Sequence, residues 1–277
     1  MASPQRHHGR IDPDAAIAFA LATNDPNEAY QRGEAVPPLY TAALIQPGFA
    51  SGSEENEPPV AIHGSRGGVH AQQDVRFFGP VRPGDRIQWE LHKHSARQTP
   101  AGVLVTHRIR VWDDQERPLV EHLWSSMHIG GTVEADVGPP LEDHTFPEAA
   151  RARPLGGARV PVALDQSFRY GGVSGDRNPH SIDDEAARRE GYPGKILQGL
   201  CTLAMCSGVV VAKAAGGHPE RLRRFAGRFT APVLLRQELV VELYDAGRAD
   251  DGARVVAFEA TAGGTVVVKH GRAEVQP

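Results

Sequence analysis

The sequence contains few of the features that mark secreted or membrane-embedded proteins. Its 277 residues include 2 cysteines, Cys201 and Cys206, which excludes a disulfide framework as the basis of the fold. We expect both thiols to be buried in a reducing compartment. No apolar run reaches the roughly 20 residues of a membrane span, and residues 1–10 lack the apolar core of a signal peptide. The expected location is the cytoplasm, without membrane contact.

The charge pattern argues against nucleic acid as a partner. The formal net charge is −4, and no long basic run is present. Hydrophobic residues make up 40% of the chain and charged residues 23%, which is typical of a soluble globular protein.

The two halves of the chain share a pattern that predicts a duplicated domain. In the first half, 78–81 (FGPV) leads into the alternating segment 87–91 (IQWEL). In the second, 230–233 (TAPV) leads into 239–243 (LVVEL) in the same way. Such alternation is typical of half-buried strands. A period of about 150 residues is too long for a solenoid repeat, so duplication of a whole domain explains it better.

Further elements complete each half. Alternation predicts four more strands, at Val103–Trp112, Pro118–His128, Arg254–Ala262 and Thr265–Val275. The segment Lys195–Ala215 is apolar on almost every side, which indicates a buried helix. We predict an N-terminal domain over 11–130, a linker rich in Pro and Gly over 131–158, and a C-terminal domain over 159–277, with residues 1–10 loosely held.

One short stretch of the second half concentrates chemically active side chains. Asp176, Asn178 and His180 place a carboxylate, a carboxamide and an imidazole within five residues. They directly follow Ser174 and Gly175. Such a cluster suits positioned proton transfer at a small site.

Three motifs in this half resemble the MaoC-like (R)-specific enoyl-CoA hydratases and dehydratases of the hotdog superfamily. Residues 174–179 (SGDRNP) match the S-G-D-x-N-P run of the family. Residues 196–202 (ILQGLCT) are similar to its I-L-H-G-L-C-T, and 228–233 (RFTAPV) to its R-F-x-x-P-V. In the first half, 69–73 and 80–85 resemble the degenerate N-terminal repeat of two-repeat members. The resemblance implies an α+β double hotdog fold, in which an antiparallel β-sheet wraps a long central helix in each half.

The resemblance also implies an activity. Family members add water across the 2,3-double bond of an enoyl thioester of coenzyme A or a carrier protein, giving an (R)-3-hydroxyacyl thioester, or remove it. By position, Asp176 would be the catalytic carboxylate, Asn178 would orient the loop or the water, and the N–H of Gly199 would meet the enolate oxygen. No metal or redox cofactor is implied, and pairing into a homodimer is possible.

Two substitutions separate this chain from the family pattern. The position five residues after Asp176 holds Ser181 in place of histidine, and the imidazole lies one residue earlier, at His180. Gln198 replaces the histidine before the helix glycine. In one alternative the loop shifts and Asp176 and His180 form a catalytic dyad. In the other, Asp176 works with Ser181 and Gln198, and hydration becomes slow, altered or replaced by binding alone. We adopt the dyad as the prediction.

Other side chains are candidates for substrate contacts. Ser174, Ser181 and Gln198 are expected to line the site. Arg224 and Arg228 belong to an arginine cluster after the long helix and could bind the phosphates of the carrier arm, although a solvated basic surface explains the cluster equally well. A thioesterase on the same fold is a further hypothesis, which the S-G-D-x-N-P run disfavours.

The first half carries a weaker copy of the motif. Asp25 and Asn27 echo Asp176 and Asn178, but Tyr30 takes the place of Ser181. We therefore expect no second active site in the first half.

Overall fold

A computed structural model describes residues 5–50 and 57–277, and within them ten strands form one sheet. The first half contains β1 (Arg6–Arg10), α1 (Pro13–Ala22), α2 (Glu28–Gln31), α3 (Tyr40–Ala50), β2 (Gly68–Phe77), β3 (Arg86–Thr99), β4 (Gly102–Asp113) and β5 (Pro118–Ile129). The second half contains β6 (Pro154–Pro161), α4 (Gln166–Ser174), α5 (Pro179–Ile182), α6 (Asp184–Arg189), α7 (Gly199–Ala214), β7 (Leu222–Phe229), β8 (Glu238–Arg248), β9 (Arg254–Ala262) and β10 (Thr265–Val275).

The order of the strands shows the duplication directly. It runs β1-β3-β4-β5-β2-β7-β10-β9-β8-β6, so each half contributes five strands and the halves meet where β2 pairs with β7. In that antiparallel pair Gln72 lies opposite Arg228, and Arg76 lies opposite Arg224. The two halves are therefore related by an approximate two-fold axis through the centre of the sheet. The repeat inferred from sequence is confirmed.

Helix α7 forms the core of the second half. It packs against β6, β7, β8 and β10, and its residues from Leu200 to Val211 are all buried. The helix begins at Gly199, four residues later than predicted. Before it, Ile196 bridges to Leu234 and the Leu197 N–H donates to Val233 O at 2.8 Å, so this stretch is extended.

The structure bears on the expectations for residues 1–10 and for the linker over 131–158. The prediction that residues 1–10 are loose was wrong for Arg6–Arg10, which pair with β3, where the His7 ring stacks on Trp89. Strand β6 begins at Pro154, inside the predicted linker, and pairs with β8 at the edge of the sheet. The exact domain boundaries stay a prediction.

In the described parts of the chain, every helix is too short or too polar to cross a membrane.

Candidate functional site

A tight turn after α4 presents Asp176. Gly175 ends the helix with a φ of 75°, a left-handed conformation that favours glycine. The Ser174 hydroxyl donates to Tyr170 O at 2.8 Å and accepts from the Asp176 N–H at 3.1 Å. A Cβ on Gly171 would lie 2.8 Å from Asp176 O, so only glycine lets the helix approach the loop this closely.

Side chains from both halves hold the Asp176 carboxylate. The Asn178 amide donates to Oδ1 at 2.8 Å. From α3 in the first half, the Gln46 amide donates to Oδ2 at 2.6 Å. Each carboxylate oxygen thus accepts a hydrogen bond from a neutral amide, and the loop is fixed between the two repeats.

The N-terminus of α7 lies against the same loop. The Gln198 amide donates at 3.0 Å to Asp176 O and at 3.0 Å to Ser167 O, so Gly199, the first helical residue, follows a residue anchored to the site. The first N–H groups of a helix have no partner within it, and they carry the positive end of its dipole. The ring of Phe229 lies 3.4 Å from where a Cβ on Gly199 would lie. This end of the helix can therefore stabilise a developing anion.

The structure directs the His180 ring towards Glu190. Its Nδ1 lies 2.8 Å from Glu190 Oε2, and its ring meets Tyr192 edge-on at 5.8 Å. The main-chain O of His180 accepts from the Ile196 N–H at 3.1 Å. In this arrangement His180 connects α5 to the segment that follows α6, between Glu190 and Ile196. The dyad with Asp176 stays a prediction.

Buried polar atoms without a hydrogen-bond partner among the described residues surround the Asp176 loop. Native proteins leave few such atoms, and a group of them indicates a place where water or a polar ligand binds. They are Oε1 of Gln46, Oγ of Ser167, the hydroxyl of Tyr170, Oγ of Ser181 and Oε1 of Gln198.

Tyr170 and Cys201, two buried groups on which the Asp176 charge acts, are neutral at pH 7. Burial raises the pKa of the Tyr170 phenol well above its usual value, and the Asp176 charge raises it further. Burial likewise raises the pKa of the Cys201 thiol. Both cysteines are buried and free, as expected.

The two arginines proposed for phosphate binding join the halves of the sheet. Arg224 is 2% exposed and donates to the two carboxylate oxygens of Asp74 at 3.0 and 2.6 Å, and it also pairs with Glu142. Arg228 donates through Nε to Gln72 Oε1 at 2.9 Å. Because the Arg224 guanidinium is buried and bonded to Asp74 and Glu142, it does not face solvent where it could bind a phosphate, and we no longer propose it as a phosphate ligand. A phosphate contact by Arg228 stays a prediction.

The weaker motif of the first half is buried against α7. Asp25 is 6% exposed and accepts from the Asn27 N–H at 3.0 Å, and burial raises its pKa to about 6. A Cβ on Gly208, midway along α7, would lie 2.6 Å from Asp25 Oδ2. The hydroxyl of Tyr30 is buried beside it without a hydrogen bond among the described residues. The Asp25 carboxylate therefore faces the middle of α7, where the backbone N–H groups already donate hydrogen bonds within the helix and are not available to bind an anion.

The described residues form a cavity away from Asp176 and contain no cluster of metal ligands. Within residues 5–50 and 57–277 no cluster of three or more His, Cys, Asp or Glu side chains could hold a metal. A cavity of about 620 Å³ opens beside Asn27, Arg82 and His218, and Asp176 is not among its lining residues.

Gln46 is the site residue that sequence reasoning missed. Its contact spans 130 residues, so no local motif predicts it. The repeat carries a signal, however, because Leu44-Ile45-Gln46 aligns with Ile196-Leu197-Gln198 at the same spacing that aligns Phe77 with Phe229. Extending the repeat to this segment would have singled out Gln46.

Known proteins resemble the chain in both sequence and fold. Residues 146–268 match the MaoC like domain family. The 3-hydroxyacyl-thioester dehydratase Y of Mycobacterium tuberculosis is 27% identical over 245 residues, covering 84% of this chain and 81% of that protein. Peroxisomal multifunctional enzyme type 2 of Drosophila melanogaster is 29% identical over 148 residues, covering 53% of this chain and 25% of that protein.

Solved structures establish the fold. A MaoC-like dehydratase from Phytophthora capsici superposes with a TM-score of 0.84 at 21% identity, covering 99% of this chain and 97% of that one. A Mycobacterium tuberculosis protein described as a double hotdog superposes with a TM-score of 0.58 at 12% identity, covering 100% of this chain and 97% of that one. The predicted α+β double hotdog is confirmed. The chain thus has a double hotdog fold, and residues 146–268 of its second half match the MaoC like domain family.

Proposed function

We propose that the chain is a hydratase or dehydratase that adds water across the 2,3-double bond of an enoyl thioester, or removes it from a 3-hydroxyacyl thioester. The observation that carries the proposal is the Asp176 carboxylate, held by Asn178 and Gln46 next to the N-terminus of α7. A proton acceptor and an anion-stabilising helix end are the two groups that the reaction requires. The names of the dehydratase relatives agree with it.

In the hydration direction, the oxygen of water forms a bond to C3 of the substrate while one of its protons moves to the Asp176 carboxylate. The electron pair of the double bond shifts through C2 onto the thioester oxygen, giving an enolate. The N–H of Gly199 donates to that oxygen. Return of the proton from Asp176 to C2 completes the addition, so a single carboxyl group can serve as base and then as acid. Positioned proton transfer of this kind is worth about 10²–10⁴ in rate.

Asn178 orients the carboxylate in this proposal, and Ser174, Ser181 and Gln198 surround the reacting groups. His180 would join the proton transfer only by leaving Glu190, to which its ring is bonded. The (R) configuration of the product, a coenzyme A or carrier-protein arm, a cytoplasmic location and a homodimeric assembly belong to the same proposal.

One observation favours a second candidate function. Among the described residues, the Asp176 carboxylate hydrogen-bonds to the amides of Gln46 and Asn178 and to no imidazole, and Ser181 and Gln198 cannot act as acids or bases near pH 7. A protein that binds an acyl thioester without converting it would fit this arrangement.

Incubation with crotonyl-CoA separates the two candidates. Loss of the enoyl-thioester absorbance, with formation of (R)-3-hydroxybutyryl-CoA on chiral analysis, is the expected result. Saturable binding by calorimetry with no turnover, for C4 to C16 enoyl-CoA substrates and their carrier-protein equivalents, would overturn the enzymatic proposal and leave the binding role.

A further inference from the structure

Among the described residues of the first half, the side chain that hydrogen-bonds to the Asp176 carboxylate is Gln46 of α3. Gln46 donates to Oδ2 at 2.6 Å, the shorter of the two amide contacts with this carboxylate. Since a carboxylate only accepts, the amide nitrogen of Gln46 must face it, and Oε1 points away. That Oε1 is buried and has no hydrogen-bond partner among the described residues.

Pro47, the next residue of α3, packs against the turn that presents Asp176. Pro47 lies 3.2 Å from where a Cβ on Gly175 would lie, against the left-handed turn that presents Asp176. Proline inside a helix usually costs stability, because it removes a backbone hydrogen bond. Consecutive residues of the first half therefore contact consecutive residues of the Asp176 turn. Two adjoining contacts fix both the position and the rotation of the carboxylate better than one.

We propose that Gln46 is a positioning residue, through which the non-catalytic first repeat sets the orientation of the catalytic carboxylate in the second. The inference rests on the proposed function of Asp176. The inference gives the degenerate first repeat a part in the reaction. Position 181 holds serine, and among the described residues the amide of Gln46 supplies an orienting contact to Asp176 that no imidazole supplies. Removing it frees the carboxylate to rotate between productive and unproductive positions.

The test compares Gln46→Ala and Gln46→Glu with the wild type in steady-state hydration of crotonyl-CoA. We expect Gln46→Ala to lower kcat by about 10–100-fold with KM nearly unchanged, because small misplacements of a reacting group cost this much. Gln46→Glu is nearly isosteric but removes the donor and places a second carboxyl group 2.6 Å from the first. Two such carboxyls share a proton, so the acidic limb of the kcat/KM profile should move to higher pH. Gln31→Ala, at an exposed glutamine of α2, is the control and should match the wild type.

A readout without turnover keeps the inference separate from the proposed function. Carbon-13 NMR of the carboxyl groups, with the Asp176 signal assigned through Asp176→Asn, reports the surroundings of this carboxylate directly. Loss of the Gln46 hydrogen bond changes those surroundings, so the Asp176 signal should change position in Gln46→Ala and keep its position in Gln31→Ala.

The outcomes are distinct. Inert wild type with a changed Asp176 carboxyl signal in Gln46→Ala would refute the proposed function and retain the contact. Active wild type, with Gln46→Ala unchanged in both kcat and the Asp176 carboxyl signal, would refute the positioning role alone. Equal losses in Gln46→Ala and Gln31→Ala would also refute it, since the effect would then be a general loss of folding.

Discussion

Replacing Gly171 by alanine should damage the site through one contact that the structure defines. The new Cβ would lie 2.8 Å from Asp176 O, whereas ordinary contacts begin near 3.4 Å. The obstructing atom belongs to the backbone, so the Asp176 loop must move by about half an ångström. Because a misplacement of 1 Å can cost about 10²-fold in rate, we expect turnover to fall about tenfold.

The neighbouring glycine supplies a matched control. Gly172 lies in the same helix, is exposed, and would place its Cβ at no atom within 4 Å. Gly172→Ala should therefore keep full activity and gain about 0.5–1 kcal/mol of stability from helix propensity alone. In Gly171→Ala the same gain is opposed by overpacking, which typically costs about 1–3 kcal/mol.

Crotonyl-CoA turnover and urea unfolding followed by circular dichroism measure both effects. Full turnover in Gly171→Ala would show that the close approach of α4 to the loop does not control the site. Equal activity losses in the two variants would refute the reasoning as well, because Gly172 has no contact to lose.

Three further variants probe other parts of the structure. Arg224→Met should lower the free energy of unfolding by about 3–5 kcal/mol in urea titrations, because Asp74 is left as an uncompensated buried charge. Adding Asp74→Leu should recover most of this loss. A loss below about 1 kcal/mol for Arg224→Met alone would contradict this prediction. Asp25→Asn should stabilise the protein at pH 8 by up to about 3 kcal/mol, and the gain should vanish towards pH 4. The pKa of Asp25 is about 6 in the folded protein and near 4 in the unfolded chain, so between these values the native state binds the proton more tightly. The wild type therefore loses stability as the pH rises from about 4 to 6, whereas Asp25→Asn does not. A pH-independent stability difference between the two proteins in unfolding titrations would refute this prediction. His180→Ala should keep turnover within about threefold of the wild type if the Glu190 pair is the working arrangement, whereas a loss of about 10²-fold would establish the imidazole as a second proton-transfer group.

Alternation along the sequence was enough to predict six of the ten strands in the described sheet, β3, β4, β5, β8, β9 and β10. The predicted Arg254–Ala262 and Thr265–Val275 coincide with β9 and β10, because one face of each strand packs inward and Gly263-Gly264 permits the tight turn between them. The edge strands β1 and β6 escaped prediction, and so did the central strands β2 and β7. In β1 the sequence RHHGR has no apolar alternation, and main-chain pairing with β3 holds it in place.

The site was predictable in its local part and unpredictable in its long-range part. The turn from Ser174 to Asn178 follows from its own sequence, since the glycine and the short polar side chains dictate its hydrogen bonds. The contacts between the two repeats depend on how the repeats pack together. This packing places Gln46 against Asp176 and Arg224 against Asp74. Sequence spacing alone also could not tell that the His180 ring turns to Glu190.

Turnover of crotonyl-CoA by wild type and by Asp176→Asn tests the central claim most directly. Asparagine preserves the size of the side chain, yet it cannot take a proton from water. We predict measurable hydration by the wild type and a loss of about 10²–10⁴-fold in Asp176→Asn, with unchanged unfolding in urea. Wild-type activity retained in Asp176→Asn would contradict the assignment of this carboxylate as the proton-transfer group.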